Sequence, residues 1–138
     1  RNTGTGHHFP TYVTPRVIAE IYQTGADGRV LPGTLRQHVI ARLVELDLSR
    51  EIADTRLAPD EETALKYRAP MDPRAAFLVY RMRAEPAGFY TKFYESLIAG
   101  GQAGRGKAMV VAALANSRRT QFTFFEARQP LRGAGAAR

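Results

Sequence analysis

Apolar residues recur at helical spacing in several stretches of this chain. Leu35, Val39, Ile40, Leu43, Val44 and Leu46 follow one stripe behind Thr34 as a cap, with Arg36, Arg42 and Glu45 left toward solvent. Phe89, Tyr90, Phe93, Tyr94, Leu97 and Ile98 form an i, i+1, i+4, i+5, i+8, i+9 stripe that Gly100-Gly101 stops. Thr14-Pro15 and Asp72-Pro73 each join a capping side chain to a proline at a first helical position, predicting short helices through Tyr22 and over 74–83. Asp60, with Glu61 and Glu62 in the first turn, predicts a short helix ending before Pro70. Lys107 to Arg119 is a further helix candidate. Thr120 to Glu126 is ambiguous, because Phe122 and Phe124 alternate as a strand would. The stretch from Gly25 to Gly33 is rich in turn formers.

These elements predict an all-α fold of five or six short amphipathic helices. An extended arm would cover residues 1–13, a helical body 14–100, and a basic Gly/Ala/Arg-containing helix and flexible tail 101–138. At 138 residues, 44% apolar, the chain makes one modest core and leaves apolar surface for a neighbour to cover. The longest apolar run, Met109 to Ala115, is too short to cross a bilayer. The first residue is Arg1, which fits the loss of an organellar transit peptide.

Charge divides the chain. Residues 1–100 hold 13 Lys/Arg and 12 Asp/Glu, whereas residues 101–138 hold 7 basic residues and Glu126 as the one acidic residue. A cationic arm on a nearly neutral body seeks RNA, an acidic protein face or anionic lipid headgroups.

Candidate chemistry is sparse. The sequence has no cysteine, which excludes disulfides, thiolate catalysis and cysteine metal sites. Gly101 to Ala108 has the glycine and lysine spacing of a phosphate loop, but Ala108 replaces the Ser/Thr that ligates magnesium and a helix precedes it. It is expected to be a hinge between helices. His7-His8 and His38 give no metal-ligand spacing, and Asp60, Glu61 and Glu62 are explained by capping. Ser49, Ser96 and Ser117 lack a nucleophile context. No catalytic residue, metal ligand or cofactor is expected. The candidate partner-binding residues are Tyr80, Arg81 and Arg83 as a carboxylate- or phosphate-pairing face. To these are added Phe89, Tyr90, Phe93 and Tyr94 as core or interface, and the cations Arg105, Lys107, Arg118 and Arg119.

One ordered series of motifs points to a family. Leu46-Asp47-Leu48 is followed by an acidic stretch with Glu51 and Asp54, then Thr63-Ala64-Leu65-Lys66. Asp72, Arg74, Val79-Tyr80-Arg81-Met82-Arg83-Ala84, Tyr90-Thr91-Lys92 and Tyr94 complete it. This series resembles the small matrix-side, cytochrome-b-binding subunit of mitochondrial ubiquinol–cytochrome c reductase (complex III), over residues 46–97. Asp47 stands where that family has glycine, and Tyr90 where it has tryptophan. The resemblance implies an all-helical accessory subunit of the respiratory chain, peripheral on the matrix side of the mitochondrial inner membrane. It would bind other protein subunits and carry no redox group. The expectation is therefore a non-catalytic structural or assembly subunit of an electron-transport complex. The alternative is an RNA-binding protein of an organellar ribosome, its cationic tail in rRNA.

Overall fold

The computed structural model describes residues 1–131. It overturns the all-α expectation: six strands form two antiparallel sheets, and α-helix is confined to two segments. The strands are β1 (Arg16–Thr24), β2 (Arg36–Ile40), β3 (Arg42–Val44), β4 (Glu51–Asp54), β5 (Phe77–Glu85) and β6 (Phe122–Pro130). Helices α1 (Gly88–Ala99) and α2 (Lys107–Arg119) lie between β5 and β6 in sequence. A four-stranded sheet has the order β2-β1-β5-β6, and β3 pairs with β4 in a two-stranded ribbon.

The chain gathers into two compact units. One comprises Arg1–Val17, Val39–Thr63 and Ala84–Phe122; the other comprises Ile18–His38, Ala64–Arg83 and the residues from Thr123 onward.

Most of the four-stranded sheet lies in the second unit. Strand β1 is its centre, with Ile18, Ile21 and Tyr22 buried beside Leu31, Ala76 and Val79. A central strand is covered on both faces, so its apolar residues lose the clean alternation of a half-exposed strand. That is why the pattern from Thr14-Pro15 onward mimics a helix start. The β-branched and aromatic content of Val17, Ile18, Ile21 and Tyr22 favours the extended form, and pairing supplies the rest. A tight loop, where Gly28 takes φ +78° and its N–H meets the Gly25 carbonyl at 3.0 Å, returns the chain as the Leu31 N–H bonds Gln23 O at 2.9 Å.

Buried Gln23 locks the 64–75 segment in place. Its side-chain amide donates to Tyr67 Oη at 2.9 Å and to the Pro70 carbonyl at 2.8 Å, while its oxygen accepts the Asp72 N–H at 2.8 Å. Every polar atom of that side chain is satisfied, so its burial carries no desolvation debt. The expected Asp72-Pro73 helix start is a turn instead. Asp72 Oδ1 accepts the Arg74 N–H at 2.9 Å, the same local bond a helix cap makes, and β5 follows.

In the first unit the amino-terminal arm is extended and anchored. Buried Asn2 donates to the carbonyls of Leu57 (2.9 Å) and Ala58 (3.2 Å), and Phe9 bridges Leu57. Asp60, expected as a helix cap, sits at φ +63°, and no helix follows it. The expected Thr34–Leu46 helix is β2 and β3. Between them Ala41 is fully buried and its N–H is held by Thr55 Oγ1 at 3.1 Å.

The two helices are where the local pattern holds. Helix α1 ends at Gly100, with Gly101 at φ +67°. The Gly101–Gly106 stretch is the connection between α1 and α2, closing in a short 3-10 turn. Helix α2 packs on α1, joined by a buried bond from Thr91 Oγ1 to Ser117 Oγ at 3.0 Å and by the Arg118–Glu95 pair at 2.8 Å. In the basic region the helix expected over Lys107 to Arg119 is α2, and the ambiguous stretch from Thr120 to Glu126 falls mostly on β6, which runs to Pro130. Residues 132–138, the end of the expected flexible tail, lie outside the described residues. No helix among the described residues is long and apolar enough to cross a membrane.

Candidate functional site

The arginine-rich face built by β5 is directed inward at a carboxylate of the same chain. Glu20, on β1, has a side chain only 2% exposed. It accepts Arg81 Nε at 2.6 Å, Arg83 Nη2 at 3.1 Å and Gln37 Nε2 at 2.7 Å, so residues of β5 and β2 clamp it from both sides. Arg81 also lies over the Tyr22 ring, 5.0 Å from its centroid. Burial opposes ionisation of Glu20, but the bonds from Arg83, Arg81 and Gln37 outweigh it and hold the carboxyl below its ordinary range. Burial raises the Tyr22 phenol, with Arg81 acting against it.

The bidentate pairing assigned from sequence to a partner is therefore made in cis.

Other shifted carboxylates follow the same rule. Asp54 is drawn down to about 2 by the Arg56 guanidinium, and Asp72 to about 2 by Arg74. Each is held ionised far from neutrality, which is the wrong direction for a general acid or base. Among the described residues no group of three or more His, Asp or Glu side chains is placed to hold a metal ion.

Strand β6 is the opposite of β1. It forms one edge of the sheet, and all nine of its residues are exposed. Phe122, Phe124 and Phe125 are about half exposed, at 54%, 49% and 50%. The N–H of Leu131 donates to the Ala76 carbonyl at 2.9 Å, so odd-numbered backbone groups here turn toward β5. On the same alternation the backbone groups of Glu126, Arg128 and Pro130 turn away from it. Pro130 falls in the outward series, where a missing N–H costs no ladder bond.

The remaining candidates divide between the two units. Tyr80, in the second, donates its hydroxyl to Gln129 Oε1 of β6 at 3.0 Å. In the first, Phe89 stacks on Phe93 at 6.4 Å and Tyr90 on Tyr94 at 6.2 Å along α1. Arg105 stands exposed on the 3-10 turn and Lys107 opens α2. Arg118 pairs with Glu95, and Arg119 bonds Asn116. The sequence reading missed Glu20, Tyr22 and Gln37, whose partners lie far along the chain. It also missed Glu126 and Arg128, although the alternation of Phe122 and Phe124 marked their strand. No family model, curated protein or solved structure matches this chain.

Proposed function

We propose that this protein is a non-catalytic assembly subunit whose working contact is the β6 edge, and that a second copy of the chain is its partner. One observation carries the reading: a nine-residue edge strand with every residue exposed and phenylalanines along it. An exposed sheet edge is a template for strand addition; Pro130 withholds one donor from it, and Glu126 and Arg128 make its pairing depend on charge.

The sequence of β6 is self-complementary. A two-fold axis perpendicular to the sheet pairs residues of equal parity, and the outward backbone groups are the even ones. With Ala127 opposite Ala127, each Glu126 faces the other copy's Arg128, Phe124 faces Pro130, and Phe125 faces Gln129. Shifting the axis to Glu126 or to Arg128 sets like charges opposite each other, which is destabilising. Charge thus selects the Ala127-centred register. Within one chain Glu126 and Arg128 already pair at 3.1 Å on an exposed face, a contact weak enough to be exchanged.

The respiratory assembly suggested by sequence resemblance is not carried into this proposal, because the helical architecture it implies is absent. Its motif segments fall on the turn after β3, on β4, on an extended stretch, on β5 and, for Tyr90 to Tyr94 alone, on a helix, α1.

Sedimentation equilibrium of the full chain and of Glu126→Pro tests the reading. Proline at 126 removes an outward N–H and leaves the β5 ladder intact. The expected result is a concentration-dependent dimer for the parent and a monomer of unchanged far-UV dichroism for the variant. A parent that stays monomeric at its solubility limit overturns the proposal.

A further inference from the structure

The first unit contains an apolar cleft with two cations that have no carboxylate partner. It has a volume of about 330 Å³ and is walled by Leu43 and Val44 of β3, Ile52 of β4 and Phe89 of α1. That size is at the low end of pockets that hold small molecules, roughly 300–1,000 Å³. Arg16, the first residue of β1, and Lys92 of α1 also line it.

Within the cleft, charge pairing sets these two cations apart. The cleft's other arginine, Arg42, is bound to Glu51 at 2.6 Å, and the cleft carboxylate Glu45 is bound to Arg50 at 2.8 Å. Elsewhere Arg1, Arg56, Arg74, Arg118 and Arg128 each have a carboxylate. Among the described residues neither Arg16 nor Lys92 forms an ion pair. Arg16 donates one hydrogen bond, from Nη2 to the Gly88 carbonyl at 3.1 Å. Its remaining donors are uncommitted, and burial lowers its pKa while Glu85 and Glu95 act from a distance to raise it. A half-buried guanidinium with spare donors gains from an anion brought to it.

The position of Arg16 is built in. Its side-chain stem runs so close to Gly88 that a methyl group there would meet three of its atoms at 3.0 Å. Gly88 opens α1, whose first turn carries no acidic residue. The helix dipole therefore adds positive potential on the same element that supplies Phe89 and Lys92.

We propose that this cleft binds a small monocarboxylate with an apolar tail, the carboxylate held by Arg16 and Lys92 and the tail lying against Leu43, Val44, Ile52 and Phe89. The site is independent of the β6 contact. Inorganic anions satisfy the cations without using the walls, and neutral amphiphiles do the reverse. A short-chain carboxylate satisfies both.

Calorimetric titration of the full chain with octanoate, below its micelle concentration, tests this. Octanoate is expected to bind saturably, and hexanoate about fifteenfold more weakly, since each of the two missing methylenes is worth about fourfold. Octanol and inorganic phosphate should each bind at least tenfold more weakly than octanoate. Lys92→Gln, at an exposed position that leaves the fold intact, should weaken octanoate at least fivefold, and Ile52→Asp should weaken it further. Absence of saturable binding overturns the proposal, as does unchanged affinity in Lys92→Gln or equal binding of octanol or phosphate. Capture on phosphatidylglycerol vesicles with no response to free octanoate would also overturn it, assigning these cations to a lipid surface instead.

Discussion

Strands β1 and β6 are both nine residues long and belong to one sheet, yet they have opposite physical roles. Strand β1 is central, and seven of its nine residues are buried; in β6 none is. In β1 even the polar side chains of Glu20 and Gln23 are buried and fully bonded. In β6 every residue is exposed. A sheet stores its stability at the centre and its capacity to bind at the edge. Substitutions should therefore separate cleanly: in β1 they should change folding, in β6 association.

The largest effect is expected at the core of β1. Ile21→Ala should destabilise the monomer by about 3 kcal/mol through lost burial and a residual cavity, measured by denaturant unfolding. Next, Glu20→Gln leaves Arg81 and Arg83 facing a neutral amide. Because both arginines retain some water contact, at 30% and 23% side-chain exposure, the cost should fall below that of a fully buried pair. About 2 kcal/mol is expected.

Acid should reproduce part of this effect. The folded pKa values of Glu20, Asp54 and Asp72 lie below their unfolded values, Asp54 and Asp72 at about 2. Their contribution is complete above the unfolded carboxyl range, near about pH 4. It is lost as pH falls through the folded values toward about 2. Unfolding free energy followed from pH 6 to 2 should drop mainly below 4, and Glu20→Gln should flatten that drop. The smallest effect is expected in β6. Phe125→Ala should change monomer stability by no more than about 0.5 kcal/mol while weakening dimerisation. A large loss of monomer stability there would erase the contrast between the strands.

The same contrast explains what the sequence disclosed. Helices α1 and α2 were legible because their determinants are local: the Phe89–Ile98 stripe, the stop at Gly100-Gly101, and a short connection. Strands β1 and β5 were not, because Glu20 finds its partners Gln37, Arg81 and Arg83 at separations of 17 to 63 residues. Burial on both faces also removed the period-two signal of Ile18 to Gln23. The proline starts at Thr14 and Asp72 are real local signals, but turns and strand entries use the same bonds as helix caps. Of the site residues, Arg81 and Arg83 stood out by charge, whereas their direction depended on an unseen carboxylate. Strand β6 was half legible through Phe122 and Phe124.

The most direct test of the central claim exchanges the two charges that set the β6 register. In Glu126→Arg two arginines face each other across the two-fold, and in Arg128→Glu two glutamates do, so each variant alone should be monomeric by native mass spectrometry. Mixed, they should form a one-to-one heterodimer, because every facing pair is then opposite in charge. Dimers of either variant alone, or a mixture that stays monomeric while the parent dimerises, would contradict the account.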